Sequence, residues 1–275
     1  MMTTHRFRFP SCAARLRRLI VGSFVVFAIA ISGSIHGEES SKDAEKQANN
    51  PLASFTTLNF HNYYIPELVE VDDTANTLWI RYAQPFRLFK GDWLLRASLP
   101  VQRVPTPEGM ESGLGAANAF AAYLIDTGNP DVTLGVGPLV SFPTATGSVP
   151  GGDTWDLGAA VVLFDARSDL IQWGGLVTYQ TDVAGSGESS LAAVQPFGIV
   201  QMGSGWYLRS TGVWTINFEA DRWAMPVGFG VGKVVKAGKQ VINAFIEPQF
   251  SILGSGDVGQ SEFQVFFGIN FQSMK

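Results

Sequence analysis

The chain has 275 residues and a formal net charge of −5; charged residues make up 16% of it, and 30 residues are glycine. This balance excludes the basic surface of a nucleic-acid-binding protein. The mean hydropathy of +0.13 is high for a water-soluble protein. Because no apolar run of helix length follows residue 35, the hydrophobicity is spread over alternate positions, as in a membrane β-barrel.

The N-terminus is typical of a secretory signal peptide. Five arginines precede an apolar stretch over 19–30, which is shorter than the roughly 20 residues that a helix needs to cross a bilayer. Small residues offer cleavage sites after Ala30 or Ser34. We predict a signal peptide over 1–34, with an uncleaved anchor reaching Ile35 as the alternative. The only cysteine, Cys12, precedes the apolar stretch, so the exported chain has none and no disulfide.

Residues 35–52 are predominantly polar, and we expect them to be disordered. Residues 53–275 are predicted to form the barrel. Alternation is clear near the end of the chain, where Phe263, Val265 and Phe267 alternate with Gln264 and other residues in a period of two. Twelve such strands are predicted, near 53–65, 77–85, 92–101, 117–126, 131–142, 154–165, 171–182, 191–202, 206–217, 223–235, 241–252 and 262–272.

In the second half of the chain the connections between the predicted strands alternate in length, except that 219–222 is short where a long one is expected. Short turns such as 203–205 and 236–239 are followed by longer loops rich in Gly, Ser and Pro, such as 143–152 and 254–261. Outer-membrane barrels combine short periplasmic turns with longer external loops, so both termini are expected in the periplasm. Tryptophans near strand ends predict interfacial girdles; they are Trp79, Trp93, Trp155, Trp173, Trp206 and Trp223.

Several segments together resemble the outer-membrane family named for the meta pathway of phenol degradation. They read LGVGPLVSFPT, WDLGAAVV, WGGLVTY, QPF, GWYLRS, PVGFGVGK and FIEPQ, and begin at residues 134, 155, 173, 195, 205, 226 and 245. The resemblance covers roughly 60–272 and implies an outer-membrane barrel. Its link to aromatic compounds rests on the family's name, and no functional residue is carried over from it.

Catalytic and metal sites are poorly supported by the sequence. A serine hydrolase needs a base beside its nucleophile, and after the signal region the sequence offers only His61. We therefore predict no enzyme activity and no cofactor. Loop acids such as Asp182 and Glu188 lack the spacing of a calcium motif.

Charged and polar residues on the predicted inward faces are the candidate site. An arginine facing lipid at the midplane costs about 2–4 kcal/mol, so these side chains are expected to point into the lumen. Two interpretations stay open: a charged ring that selects solutes, or structural ion pairs such as Arg209 with Glu247 that fill the barrel. The candidate lumen-lining residues are Arg81, Arg96, Arg209, Asn243, Glu247 and Gln249.

The sequence thus predicts an all-β protein, an antiparallel transmembrane β-barrel of about twelve strands in the outer membrane of a Gram-negative envelope, reached by signal-directed export. Its function is expected to be passive, porin-like transport of small solutes, including aromatic or apolar ones. The expected partners are membrane lipid and small molecules, with no nucleic acid. The alternatives are a plugged structural barrel and a soluble periplasmic β-sandwich or lipid-binding protein.

Overall fold

The structure is a computed structural model that describes residues 47–52, 55–147, 149, 153–256 and 258–273. The predicted signal peptide over 1–34 therefore lies outside the described residues, as do residues 35–46 of the predicted disordered segment. In the part of the chain that the structure describes, no helix has the length and apolar character needed to cross a membrane.

The described chain forms one antiparallel sheet that closes on itself. The first strand, Thr56–Leu68, pairs with the last strand, Ser261–Ser273. This pairing closes the sheet into a barrel. The strands are β1 (Thr56–Leu68), β2 (Ala75–Leu88), β3 (Gly91–Thr106), β4 (Gly109–Leu114), β5 (Ala117–Ile125), β6 (Val132–Phe142), β7 (Thr154–Asp165), β8 (Ile171–Gly185), β9 (Ser190–Gly203), β10 (Trp206–Ser210), β11 (Trp214–Asn217), β12 (Arg222–Gly228), β13 (Gly230–Ala237), β14 (Gln240–Gly254) and β15 (Ser261–Ser273).

Three of the wall positions are long strands interrupted in the middle. β4 and β5 both pair with β3, β10 and β11 both pair with β9, and β12 and β13 both pair with β14. The barrel wall therefore has 12 strands, which confirms the predicted fold and excludes the soluble β-sandwich. At the second break the backbones approach closely, because a Cβ on Gly212 would lie 2.0 Å from the carbonyl oxygen of Pro226.

The two ends of the barrel differ in their connections. At one end, here called the turn end, β1 begins, β15 ends and tight turns join neighbouring strands, including Phe89–Lys90 and Ser204–Gly205. All four of these turn residues have positive φ, between 50° and 75°, as the two-residue turns that match strand twist require. The opposite end, the loop end, carries the longer connections over 143–153 and 255–260.

The outer surface of the wall is apolar. Large side chains project outward from most strands, and Phe229, at mid-height of the barrel, is 77% exposed. Trp93, Trp173 and Trp206 lie near the turn end, and Trp155 lies near the loop end, where its ring contacts Phe142 at 5.4 Å. This is the aromatic-bordered surface that membrane barrels present to lipid.

Trp79 does not follow the prediction of an interfacial girdle. Because side chains two residues apart on a strand share a face, Trp79 points to the same side as Arg81, and its ring lies 4.9 Å from the Arg81 guanidinium. Both residues border the cavity inside the barrel.

Residues 47–52 lie inside the barrel at its turn end, rather than as the disordered segment that the sequence predicts. Gln47 and Ala48 are helical and Asn49 is in a turn, and Ala48 and Leu52 are each 3% exposed. Ala48 packs in a cluster formed mainly by β9, β10 and β13–β15, and Leu52 in one formed mainly by β2, β3, β5 and β6. These strands form facing walls, so the segment crosses the interior.

Candidate functional site

The barrel interior contains two cavities arranged along its length. The larger one, here called the vestibule, has a volume of about 670 Å³ and extends to the loop end, where Arg222 and Gln260 border it. The smaller one, the inner cavity, has a volume of about 140 Å³ and is bordered on the turn side by residues 48–51. Four residues border both cavities and form the constriction between them: Arg81, Arg96, Leu176 and Gln195.

The two arginines of the constriction come from neighbouring strands at mid-height. Arg81 of β2 lies opposite Ser98 of β3, and Arg96 of β3 lies opposite Ala83, so the two arginines are diagonal neighbours on the inward face. In the described residues neither forms an ion pair. The constriction is therefore positively charged, although the whole chain is acidic.

A histidine orients one of these arginines. Arg81 Nη1 lies 2.7 Å from His61 Nδ1, and His61 Nε2 lies 2.7 Å from Asn270 Oδ1. Since a guanidinium only donates, His61 Nδ1 must accept, and its protonated Nε2 then donates to Asn270. His61 is thus a neutral connector between Arg81 and Asn270 within the barrel wall.

Arg209 and Glu247 form the buried ion pair that was one of the two predicted interpretations. Arg209 Nε donates to Glu247 Oε2 at 2.8 Å, and the side chains are 11% and 0% exposed. Glu247 also accepts from the backbone N–H and the hydroxyl of Thr211, each at 2.7 Å, and from Gln249 Nε2 at 3.0 Å. The Thr211 N–H is available because the wall strand is interrupted there.

The ion pair is enclosed by aromatic and glycine residues. The Arg209 guanidinium lies 3.6 Å from the ring centroid of Phe245, a cation–π contact. A Cβ on Gly228 would lie 2.3 Å from Glu247 Oε1, so only glycine leaves room for the carboxylate. Arg209 still borders the inner cavity, whereas Glu247 borders neither cavity.

The remaining predicted residues, Asn243 and Gln249, point inward but are buried. Gln249 is 0% exposed, bonds to Glu247 and accepts from Gln264 Nε2 at 2.6 Å, and it borders neither cavity. Asn243 is 1% exposed and accepts from the Tyr207 hydroxyl at 2.5 Å. Asn243 nevertheless borders the inner cavity, as a lumen-lining residue would, whereas Gln249 is enclosed by neighbouring side chains.

Asn243 also anchors the segment that crosses the turn end, a contact that sequence reasoning missed. Its Nδ2 donates to the carbonyl of Ala48 at 3.2 Å and to Asn49 Oδ1 at 3.0 Å, while Gln272 Nε2 donates to the same carbonyl at 2.8 Å. On the far side Asn50 Nδ2 reaches Thr133 Oγ1 at 3.4 Å. Residues 47–52, here called the plug, thus cross the turn end and contact opposite sides of the wall.

Within the described residues, no three His, Cys, Asp or Glu side chains come together as a metal site. In the loops, Asp182 Oδ1 accepts from the backbone N–H of Ser189 at 3.1 Å, which is a loop-closing contact.

Two solved structures of outer-membrane proteins share this fold. An outer membrane channel from Pseudomonas putida F1 is 12% identical with a TM-score of 0.56, over 79% of this chain and 94% of that chain. The NanC porin is 12% identical with a TM-score of 0.51, over 79% of this chain and 100% of that chain. At this identity the similarity establishes the fold. No family model and no curated protein matches the chain.

Proposed function

We propose that this protein is an outer-membrane β-barrel for passive, porin-like transport of small solutes. The observation that carries the proposal is the vestibule, a cavity of about 670 Å³ that extends from the loop end to an arginine-lined constriction. A structural barrel needs no such space, because side chains fill the interior of a narrow barrel. The apolar outer surface then lies in lipid, and the vestibule receives solutes from outside.

The membrane location and orientation follow from general features of such barrels. The apolar outer wall would be exposed to lipid, and the short turns would lie in the periplasm. The signal peptide proposed for residues 1–34 would direct export. The two structural neighbours above are a channel and a porin by name, which favours transport over catalysis for this chain as well.

Transport requires the plug to move or loosen. Residues 47–52 cross the lumen at the turn end and separate the inner cavity from that end. Their anchors are a few hydrogen bonds and two small apolar contacts, which is a modest set for a displaceable element. A solute would therefore enter the vestibule, pass the constriction and leave once the plug has shifted.

The nature of the solute is part of the proposal. The resemblance to the family named for the meta pathway of phenol degradation favours aromatic or apolar compounds. Aromatic side chains on the vestibule wall agree with this, since Tyr63, Trp79 and Phe120 border it.

The plugged structural barrel is the second candidate, and the plug itself is the observation that favours it. Planar-bilayer recordings of the purified protein distinguish the two. The transport proposal expects discrete conductance steps that depend on the protein. A complete absence of steps over a range of voltages, from protein that migrates as a folded barrel, would support the structural alternative.

A further inference from the structure

We propose that the constriction binds the carboxylate of an aromatic acid between Arg81 and Arg96, with its ring on the aromatic wall of the vestibule. The inference rests on the proposed transport function and deepens it by naming the class of solute.

The guanidiniums of Arg81 and Arg96 are two neighbouring positive charges without a carboxylate partner in the described residues, an arrangement that favours binding of an anion. Arg81 and Arg96 are diagonal neighbours on adjacent strands, and like charges placed this way repel each other. Glu247 does not balance them, because it pairs with Arg209 and accepts four hydrogen bonds in all, one of them from Arg209. An anion from outside the chain would balance the two guanidiniums.

The hydrogen-bonding capacity of the two arginines is only partly used. Arg81 donates from Nη1 to His61 and is also hydrogen-bonded to Tyr63, while its buried Nε has no partner in the described residues. Arg96 makes no hydrogen bond to any described residue. Arg96, which borders both cavities, therefore has donors for the two oxygens of a carboxylate, which arginine binds in a bidentate manner, and Arg81 beside it supplies a second positive charge.

The guanidiniums are held over aromatic rings rather than by carboxylates. The Arg96 guanidinium lies 5.6 Å from the centroid of Phe120, and that of Arg81 lies 4.9 Å from the centroid of Trp79. Such cation–π contacts orient the planar groups and leave their charge uncompensated.

The space above the arginines is suited to a small ring. Tyr63, Trp79, Phe120, Leu139 and Leu176 border the vestibule beside the constriction. Its volume of about 670 Å³ is within the roughly 300–1,000 Å³ of pockets that bind small organic ligands. A ligand with an anionic group at one end and an apolar ring at the other would pair with the arginines and pack against the apolar wall of the vestibule.

The test is isothermal titration calorimetry of the purified protein in detergent. The probes are benzoate, its neutral analogue benzamide, and inorganic phosphate. Benzoate is expected to bind about tenfold or more tightly than either of the others, because benzamide lacks the charge and phosphate lacks the ring. Equal binding of benzamide would overturn the charge argument, and equal binding of phosphate would overturn the aromatic assignment.

Variants on the two faces of β3 locate the site. Arg96→Gln is expected to weaken benzoate binding about tenfold or more. Arg103→Gln is the matched control, because Arg103 lies on the same strand but is exposed on the outer face. Unchanged affinity in Arg96→Gln, or an equal loss in Arg103→Gln, would refute the site. If Arg96→Gln does not fold, Arg96→Lys is the second variant. Lysine keeps the positive charge but cannot bind the carboxylate in a bidentate manner, so benzoate binding is expected to weaken by a smaller factor.

Failure of the site and failure of the transport proposal are distinguishable. Benzoate binding without conductance would retain the site and refute the transport function. Conductance without benzoate binding would retain transport and refute the site.

Discussion

At the scale of single residues, the interior is organised around two different uses of arginine. Arg209 is satisfied by Glu247, Thr211 and the ring of Phe245, whereas Arg81 and Arg96 have no carboxylate partner in the described residues. The first is a structural element, and the other two make the lumen positive. The ion pair with Glu247 neutralises Arg209. The positive charge of the lumen therefore comes from Arg81 and Arg96.

The Arg209–Glu247 pair is expected to stabilise the barrel. Glu247→Gln would leave the largely buried Arg209 without its counter-charge, and breaking such a pair costs about 3–5 kcal/mol. The free energy of unfolding, from urea titration of the refolded barrel in lipid vesicles, should fall by that amount. Glu262→Gln, at an exposed position of β15, is the control. Equal unfolding midpoints for the two variants would contradict a structural role.

At the scale of elements, the plug illustrates how little apolar surface a segment needs when the surrounding structure is already present. Residues 47–52 contain two buried apolar side chains, Ala48 and Leu52, and their polar neighbours find hydrogen-bond partners on the wall. A composition-based prediction of disorder misses this, because the partners belong to strands far away in the sequence.

Loosening the plug should open the barrel. Leu52→Asp would place a carboxylate among Ala83, Leu94 and other apolar side chains, which costs several kcal/mol without a partner. A free-energy change of that size shifts the closed population by more than about tenfold. Single-channel open probability should rise accordingly. Leu52→Met keeps an apolar side chain and should behave as the parent does; a rise in both variants, or in neither, would argue against the plug as the closing element.

The outer face of the interrupted strand β12–β13 gives a test of the lipid boundary. Phe229→Arg places a charge on the outer surface at mid-height, where it costs about 2–4 kcal/mol in a bilayer. The amount of folded protein recovered from outer membranes should therefore drop. Phe229→Leu, which stays apolar, should be recovered at the parental level. Equal recovery of both variants would mean that Phe229 does not face lipid.

At the scale of the whole molecule, net charge and lumen charge have opposite signs. The chain is acidic at −5, yet the constriction carries two unpaired arginines. Charges beyond about 8–10 Å are largely screened at moderate salt, so an ion in the lumen responds to the constriction more than to acidic loops.

The open channel should therefore prefer anions weakly. Reversal potentials across a KCl gradient should indicate anion preference, and the Arg81→Ser and Arg96→Ser variants should each reduce it. Arg103→Ser on the outer face should leave the reversal potential unchanged. Cation preference in the parent protein would rule out a lumen dominated by the two arginines.

Sequence alone predicted about twelve wall strands and the face that most side chains occupy, and the structure fixed the count. Both follow from local rules, since side chains alternate along a strand and turn residues mark its ends. The twelve predicted segments correspond to the twelve wall strands, although the segment 117–126 covers β5 and misses β4 of the same interrupted strand. The inward direction of Arg81, Arg96 and Arg209 needed only the parity of their positions.

Only the tertiary structure decided what those inward side chains contact. The hydrogen bond from Gln272 to Ala48 joins residues 224 positions apart, and Arg209 meets Glu247 across 38 positions. Alternation places a residue on a face but says nothing of its neighbours from other strands, which depend on register and closure. For that reason the plug and the separation of structural from unpaired arginines could be read only from the closed barrel.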